Sequence, residues 1–117
     1  MFEEKAKELG RIIGQSPEYQ AVKRATDALN SDREATTLLQ SIEKLRGEAQ
    51  RLLERGEQPS PDMEHQLDEL LSKVQVLPAY QRAAVAQENF DKIMLRVNNW
   101  ILEGIKKGAT SSIITLG

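Results

Sequence analysis

Apolar residues recur along almost the entire chain at intervals of three and four. That spacing commits it to helices that each hide one face. Phe2, Ala6, Leu9 and Ile13 mark a first helix near residues 2–14. Ser16-Pro17-Glu18 reads as the next start: a hydroxyl to cap, a proline suited to the first helical position, and an acid for the positive end. Tyr19, Val22, Ala25 and Leu29 carry the second helix to about Asn30. Ser31-Asp32 offers a third cap, and Ala35, Leu38, Ile42, Leu45, Ala49 and Leu52 follow as a heptad stripe widened by Leu39 and Leu53. Gly56 is a natural stop, and Glu57-Gln58-Pro59-Ser60-Pro61 is the clearest turn. Ser60-Pro61-Asp62 repeats the start seen at Ser16, and Met63, Leu67, Leu70, Val74 and Leu77 form the fourth stripe.

Pro78 opens a fifth and longest helix, with its stripe running through Ala83, Ala86, Phe90, Ile93, Val97, Trp100 and Ile101 to Ile105, and Gly108 as the expected stop. Glu69 with Lys73, Glu88 with Lys92, and Glu103 with Lys107 are acid-before-base pairs one turn apart. Thr110 to Leu116 changes to an uncharged, β-type composition. The expected organisation is one helical domain over residues 1–108 and a tail, 109–117, that is flexible or packed on a second subunit. The fold class is all-α: about five helices, a long antiparallel hairpin or bundle with coiled-coil-like seams and a long C-terminal helix.

A helix of about 30 residues is ~45 Å long. A compact body of this size has a radius of gyration near ~13–14 Å, so the fifth helix overhangs it while its apolar stripe continues. A second copy is the simplest cover. The sequence therefore predicts a homo-oligomer, a dimer or higher, with Phe90, Val97, Trp100 and Ile101 nearest the interface.

Composition removes most chemistry. Cysteine is absent, which excludes disulfides, thiolate nucleophiles and Cys-ligated zinc or iron–sulfur clusters. His65 is the one histidine, set among Asp62, Glu64 and Gln66 in polar first turns, and reads as a surface residue. Asp62 and Glu69 flank it, but carboxylate-bridged metals in bundles use paired Glu-x-x-His units. There is no phosphate-binding glycine loop; Gly10 and Gly14 alone permit only a close helix approach. Sixteen basic against 18 acidic residues give a net charge of −2, without the basic excess of a phosphate-backbone binder. Lys23-Arg24, Arg51 with Arg55, and Lys106-Lys107 lie near acids and read as solvated faces. A charged N-terminus and the lack of any long apolar run predict a cytoplasmic protein outside the membrane. No catalytic, cofactor or metal residues are expected, and no nucleic-acid binding.

Three segments in order resemble the bacterial YlbF/YmcA-type regulator family, including its YheA-like branch. They are Ser16-Pro17-Glu18-Tyr19-Gln20-Ala21-Val22-Lys23; the break Ala28-Leu29-Asn30-Ser31-Asp32-Arg33-Glu34-Ala35; and Val76-Leu77-Pro78-Ala79-Tyr80-Gln81-Arg82-Ala83 before the long terminal helix. Between the last two lie the Ala35–Arg55 helix, Gly56 and the Pro-rich turn. The resemblance spans roughly residues 6 to 107. It implies an all-helical, self-associating, non-enzymatic regulator. Better-studied members form protein complexes and influence competence, sporulation and biofilm formation through the mRNA-processing enzyme RNase Y. Some hold iron–sulfur clusters on cysteines, which this chain lacks.

The expected function is thus a cytoplasmic regulatory or adaptor protein that binds protein partners related to RNA processing. Tyr19 and Tyr80, each in a proline-punctuated helix start, are the candidate partner-binding residues, expected on one combined surface. Two other readings stay open. One is a structural or chaperone-like coiled-coil protein. The other is a helical enzyme of chorismate-mutase type, which needs arginines converging inside the bundle; Arg46 and Arg82 lie near stripe edges.

Overall fold

A computed structural model of the chain describes the backbone of residues 1–116 and the side chains of residues 1–110. Five helices follow in order: α1 (Phe2–Gly14), α2 (Pro17–Ser31), α3 (Arg33–Glu54), α4 (Pro61–Gln75) and α5 (Pro78–Leu116). The all-α expectation matches the structure, and no strand occurs among the described residues.

Local signals set the boundaries. Ser16 Oγ accepts from the Tyr19 N–H at 3.2 Å, Asp32 Oδ1 from the Ala35 N–H at 3.0 Å, and Ser60 Oγ from the Met63 N–H at 3.2 Å. Each satisfies one amide that a helix start leaves unpaired. At the end of α3, Gly56 takes φ +79°. The Gly56 N–H then donates to Leu53 O at 3.0 Å and the Glu57 N–H to Leu52 O at 2.8 Å. That is the paired reverse bonding of a Schellman stop, which needs a left-handed residue.

Gly108 behaves otherwise. The expected stop is absent, and α5 continues to Leu116. Gly56 alone has positive φ among the described residues, so Gly108 stays helical. A helical glycine costs only ~1 kcal/mol relative to alanine, too little to break a helix by itself. The β-type composition of the tail does not prevail locally either. Whether the tail packs on a second subunit concerns side chains 111–117, which lie outside the described residues.

Two antiparallel pairs make up the body: α2 against α5, and α3 against α4, with lighter contact of α2 to α3 and of α4 to α5. Among the described residues only Ala35, Ile42, Val74, Ala86 and Val97 are buried, and no polar group is. The shape is elongated, 67 × 38 × 21 Å, with a radius of gyration of 21.2 Å. A compact chain of this length has ~13 Å. The structure therefore has the overhang that the length of α5 predicts. Of the three expected ion pairs, Glu88–Lys92 is formed at 3.8 Å, while Glu69 lies 3.8 Å from His65 Nε2 instead.

Candidate protein-binding surfaces

Two corners turn the chain into α2 and α5, and they are built alike. Each helix opens Pro-x-Tyr-Gln: Pro17-Glu18-Tyr19-Gln20 and Pro78-Ala79-Tyr80-Gln81. Gln20 Nε2 donates back to Gly14 O at 2.8 Å, and Gln81 Nε2 donates back to Gln75 O at 3.0 Å. In both, the glutamine amide caps a carbonyl left free at the end of the previous helix. The repeated tetrapeptide is visible in the sequence, but its glutamine carries no periodicity or charge signal and is easily read as solvated.

Tyr19 and Tyr80 do not share a surface. Tyr19 is half-buried, edge-on to Phe90 with centroids 5.3 Å apart and planes at 60°. Tyr80 is also half-buried, but at the start of α5. Ten residues separate it from Phe90, or ~15 Å of helix. The antiparallel course of α2 sends the two corners to opposite ends of the pair. The combined surface expected from the sequence is therefore not formed.

The four residues expected at a subunit interface also divide. Phe90 is half-buried against Tyr19, and Val97 is buried at 7% exposure within the chain. Trp100 at 61% and Ile101 remain open to solvent. Phe2, Ile12, Leu102 and Ile105 are exposed as well.

Between the C-terminal half of α2 and the start of α5 runs an open groove of about 770 Å³. Ala21, Ala25, Ala28 and Ala86 are among its lining residues, with Arg24, Gln81, Arg82 and Asn89 as its polar members. Tyr80 does not line it, although Pro78 and Gln81 do. Val85 stands in its wall at 57% exposure. Nothing among the lining residues is a nucleophile or a carboxylate. An apolar surface with two guanidinium groups suits apolar side chains flanked by acids. Arg46 is exposed on α3 and not part of the groove. His65 is exposed, and no group of three or more metal-type ligands exists among the described residues. No helix among the described residues is long and apolar enough to cross a membrane.

Known proteins share this chain's sequence and fold. A UPF0342 protein of Streptococcus gordonii is 25% identical over 101 residues, covering 86% of this chain and 90% of that protein. One from Streptococcus agalactiae is 31% identical over 96 residues, covering 76% and 86%. The crystal structure of Bacillus subtilis RicA in complex with RicF matches with a TM-score of 0.77 at 17% identity, over 92% of this chain and 96% of that one. A protein of unknown function (DUF964) from Bacillus stearothermophilus matches with a TM-score of 0.68 at 17% identity, over 89% and 91%. These likenesses show the same helical fold. The family model described as "Control of competence regulator ComK, YlbF/YmcA" matches residues 2–106, and the chain belongs to that family.

Proposed function

We propose that this protein is a non-enzymatic, self-associating cytoplasmic adaptor that acts by holding a protein partner. One observation carries the reading. The chain leaves large apolar side chains on open helical surface and buries only five residues, none of them polar, among those described. Enzymes need reacting groups converging in a shielded site. Adaptors need accessible ridges and grooves. The RicA neighbour was crystallised in complex with another protein, RicF, and this adds support. The family's description places its members in control of competence regulation.

The α2–α5 groove is the proposed partner site, and a helix or loop with apolar anchors and an acidic flank is the fitting ligand. Self-association uses the far end of α5, where Trp100 and Ile101 are exposed. The test is co-purification from the native cell extract with wild type, Val85→Glu and Arg82→Glu. Both variants change exposed groove residues and should leave helix content and thermal midpoint unchanged. They should lose the partner. Tyr80→Ala run alongside asks whether the corner contributes to binding or only to folding. Full retention of the partner by both groove variants would remove the groove from the proposal.

A further inference from the structure

We infer that the occupant of the α2–α5 groove is an acidic amphipathic helix of a partner protein, about four turns long, which runs on past the groove along a basic stripe of α5 as far as Arg96. This rests on the groove reading above and specifies the chemistry and extent of what the groove holds.

α5 carries two stripes, and the chain itself covers one of them. The apolar stripe through Ala86, Phe90 and Val97 is the covered one. A second stripe steps from Arg82 to Val85, Asn89, Lys92 and Arg96, at intervals of three and four, so it keeps to one face of the helix. All five residues are exposed. Arg82, Val85 and Asn89 line the groove. Lys92 and Arg96 continue the stripe beyond it. On α2, Arg24 lines the same groove among Ala21, Ala25 and Ala28.

Charge is sorted across this pair of helices. The acids in the same stretch of α5 lie off the stripe: Glu88 at its edge, 3.8 Å from Lys92, and Asp91 beyond, accepting from Gln87 Nε2 at 2.9 Å. α2 has Glu18 and Asp27, neither of which lines the groove. The other ion pairs among the described residues join Lys5 to Glu8, Lys7 to Glu3 and His65 to Glu69. Arg24, Arg82 and Arg96 take part in none. In a chain of net charge −2, an uncancelled basic border thus runs beside an apolar floor. Carboxylates satisfy guanidinium groups with paired, charge-assisted hydrogen bonds.

The floor decides the backbone form of the occupant. Alanines at the contact are short, so a third helix can settle between α2 and α5 at ordinary packing distance. An extended segment would lay unpaired backbone N–H and C=O groups on helices whose own groups are already paired. A phosphate backbone would gain from the arginines but nothing from the alanines or Val85. Arg82 and Arg96 are four turns apart, or ~21 Å. The matching helix sets an apolar stripe on the alanines and Val85. It carries carboxylates along both borders, one row toward Arg24 and the other toward Arg82, Lys92 and Arg96.

Two fluorescein-labelled helical peptides of about 16 residues test this. They share one leucine stripe and carry either glutamate or lysine along both borders. In fluorescence anisotropy with the full chain, the glutamate peptide should bind at least about tenfold more tightly than the lysine peptide, and less tightly as salt rises. Arg96→Glu, outside the groove, should weaken the glutamate peptide about tenfold and strengthen the lysine peptide. Arg46→Glu, on α3, should change neither. Both variants replace exposed arginines and should keep the wild-type helix content and thermal midpoint. Equal binding of the two peptides, both lost in Val85→Glu, would overturn the acidic chemistry and leave the groove as an apolar partner site. Wild-type behaviour of Arg96→Glu would overturn the extension beyond the groove. No binding of either peptide overturns the helical occupant, while the groove itself falls only if both groove variants keep the partner. A single-stranded oligouridylate that displaces the bound peptide at a lower concentration than the unlabelled peptide does would assign the stripe to a phosphate backbone and overturn the inference.

Discussion

From Pro78 to Phe90, α5 has α2 along its apolar face, and Val97, two turns on, is still buried. From Trp100 to Ile105 the same stripe runs on, exposed. The sequence pattern does not change between the two stretches. What changes is whether the chain has a helix left to place there. α2 is reversed at Asp32 and its start lies beside Phe90, so it runs out at Tyr19. The contrast teaches that periodicity identifies the face of a helix to be covered and says nothing about which chain covers it. A body whose radius of gyration is 21.2 Å has far more such face than it can cover alone.

The sharpest break in this comparison is a matched pair of charges. Val97→Asp puts an unpartnered carboxylate at a position only 7% exposed. It should cost ~3 kcal/mol or more of folding free energy. Trp100→Asp, less than one turn away and 61% exposed, should change the folding free energy of the dilute protein by no more than ~0.5 kcal/mol. Urea unfolding at low protein concentration measures both. Trp100→Asp should weaken assembly instead, seen in sedimentation. Equal destabilisation by the two would mean that the covered and bare stretches are not different in the way described.

A second contrast sets the α3–α4 pair against the bare end. Ile42 is 3% exposed in the seam that includes Val74. Ile42→Ala should cost ~2–4 kcal/mol, transfer and cavity together. Leu102→Ala, at an exposed site, should stay within ~0.5 kcal/mol. Denaturant midpoints at constant slope give the comparison. A third, smaller effect concerns the corners. Ser60→Ala and Asp32→Ala each remove a side-chain acceptor from a helix start and should each cost ~1 kcal/mol. Thermal unfolding resolves a change of that size in a chain of this length.

Much of this architecture was legible because it is local. Ser16, Asp32 and Ser60 cap because a short polar side chain precedes an apolar run, and the sequence displays both. Gly56 was legible because a Pro-rich turn follows it. The pairing of Tyr19 with Phe90 was not, since it depends on two helices 71 positions apart settling antiparallel. The same long-range fact separates Tyr19 from Tyr80, which local resemblance had made one surface. The groove escaped notice for a related reason. Ala21, Ala25 and Ala28 are weak apolar signals, and only the approach of Arg82 and Val85 on another helix turns them into a groove.

The smallest prediction tests the one boundary that the sequence misplaced. Gly56 and Gly108 look alike on paper, each after an apolar stripe and basic residues. Gly56 sits at φ +79°, where an L side chain is strained, and its amide closes the reverse bonds of the α3 stop. Gly108 has ordinary helical backbone, with Thr110 Oγ1 donating to Lys106 O across it at 2.9 Å. A Cβ at either would meet no atom within 4 Å, so crowding cannot decide the outcome. Backbone conformation alone does. Gly56→Ala should destabilise by ~1 kcal/mol, the cost of a left-handed non-glycine residue. Gly108→Ala should stabilise by up to ~1 kcal/mol, less if the last turns contribute little to the cooperative unit. Opposite signs in thermal unfolding would establish that α5 runs unbroken through Gly108. The same sign, with both destabilising, would restore Gly108 as a stop and shorten the bare end of the molecule accordingly.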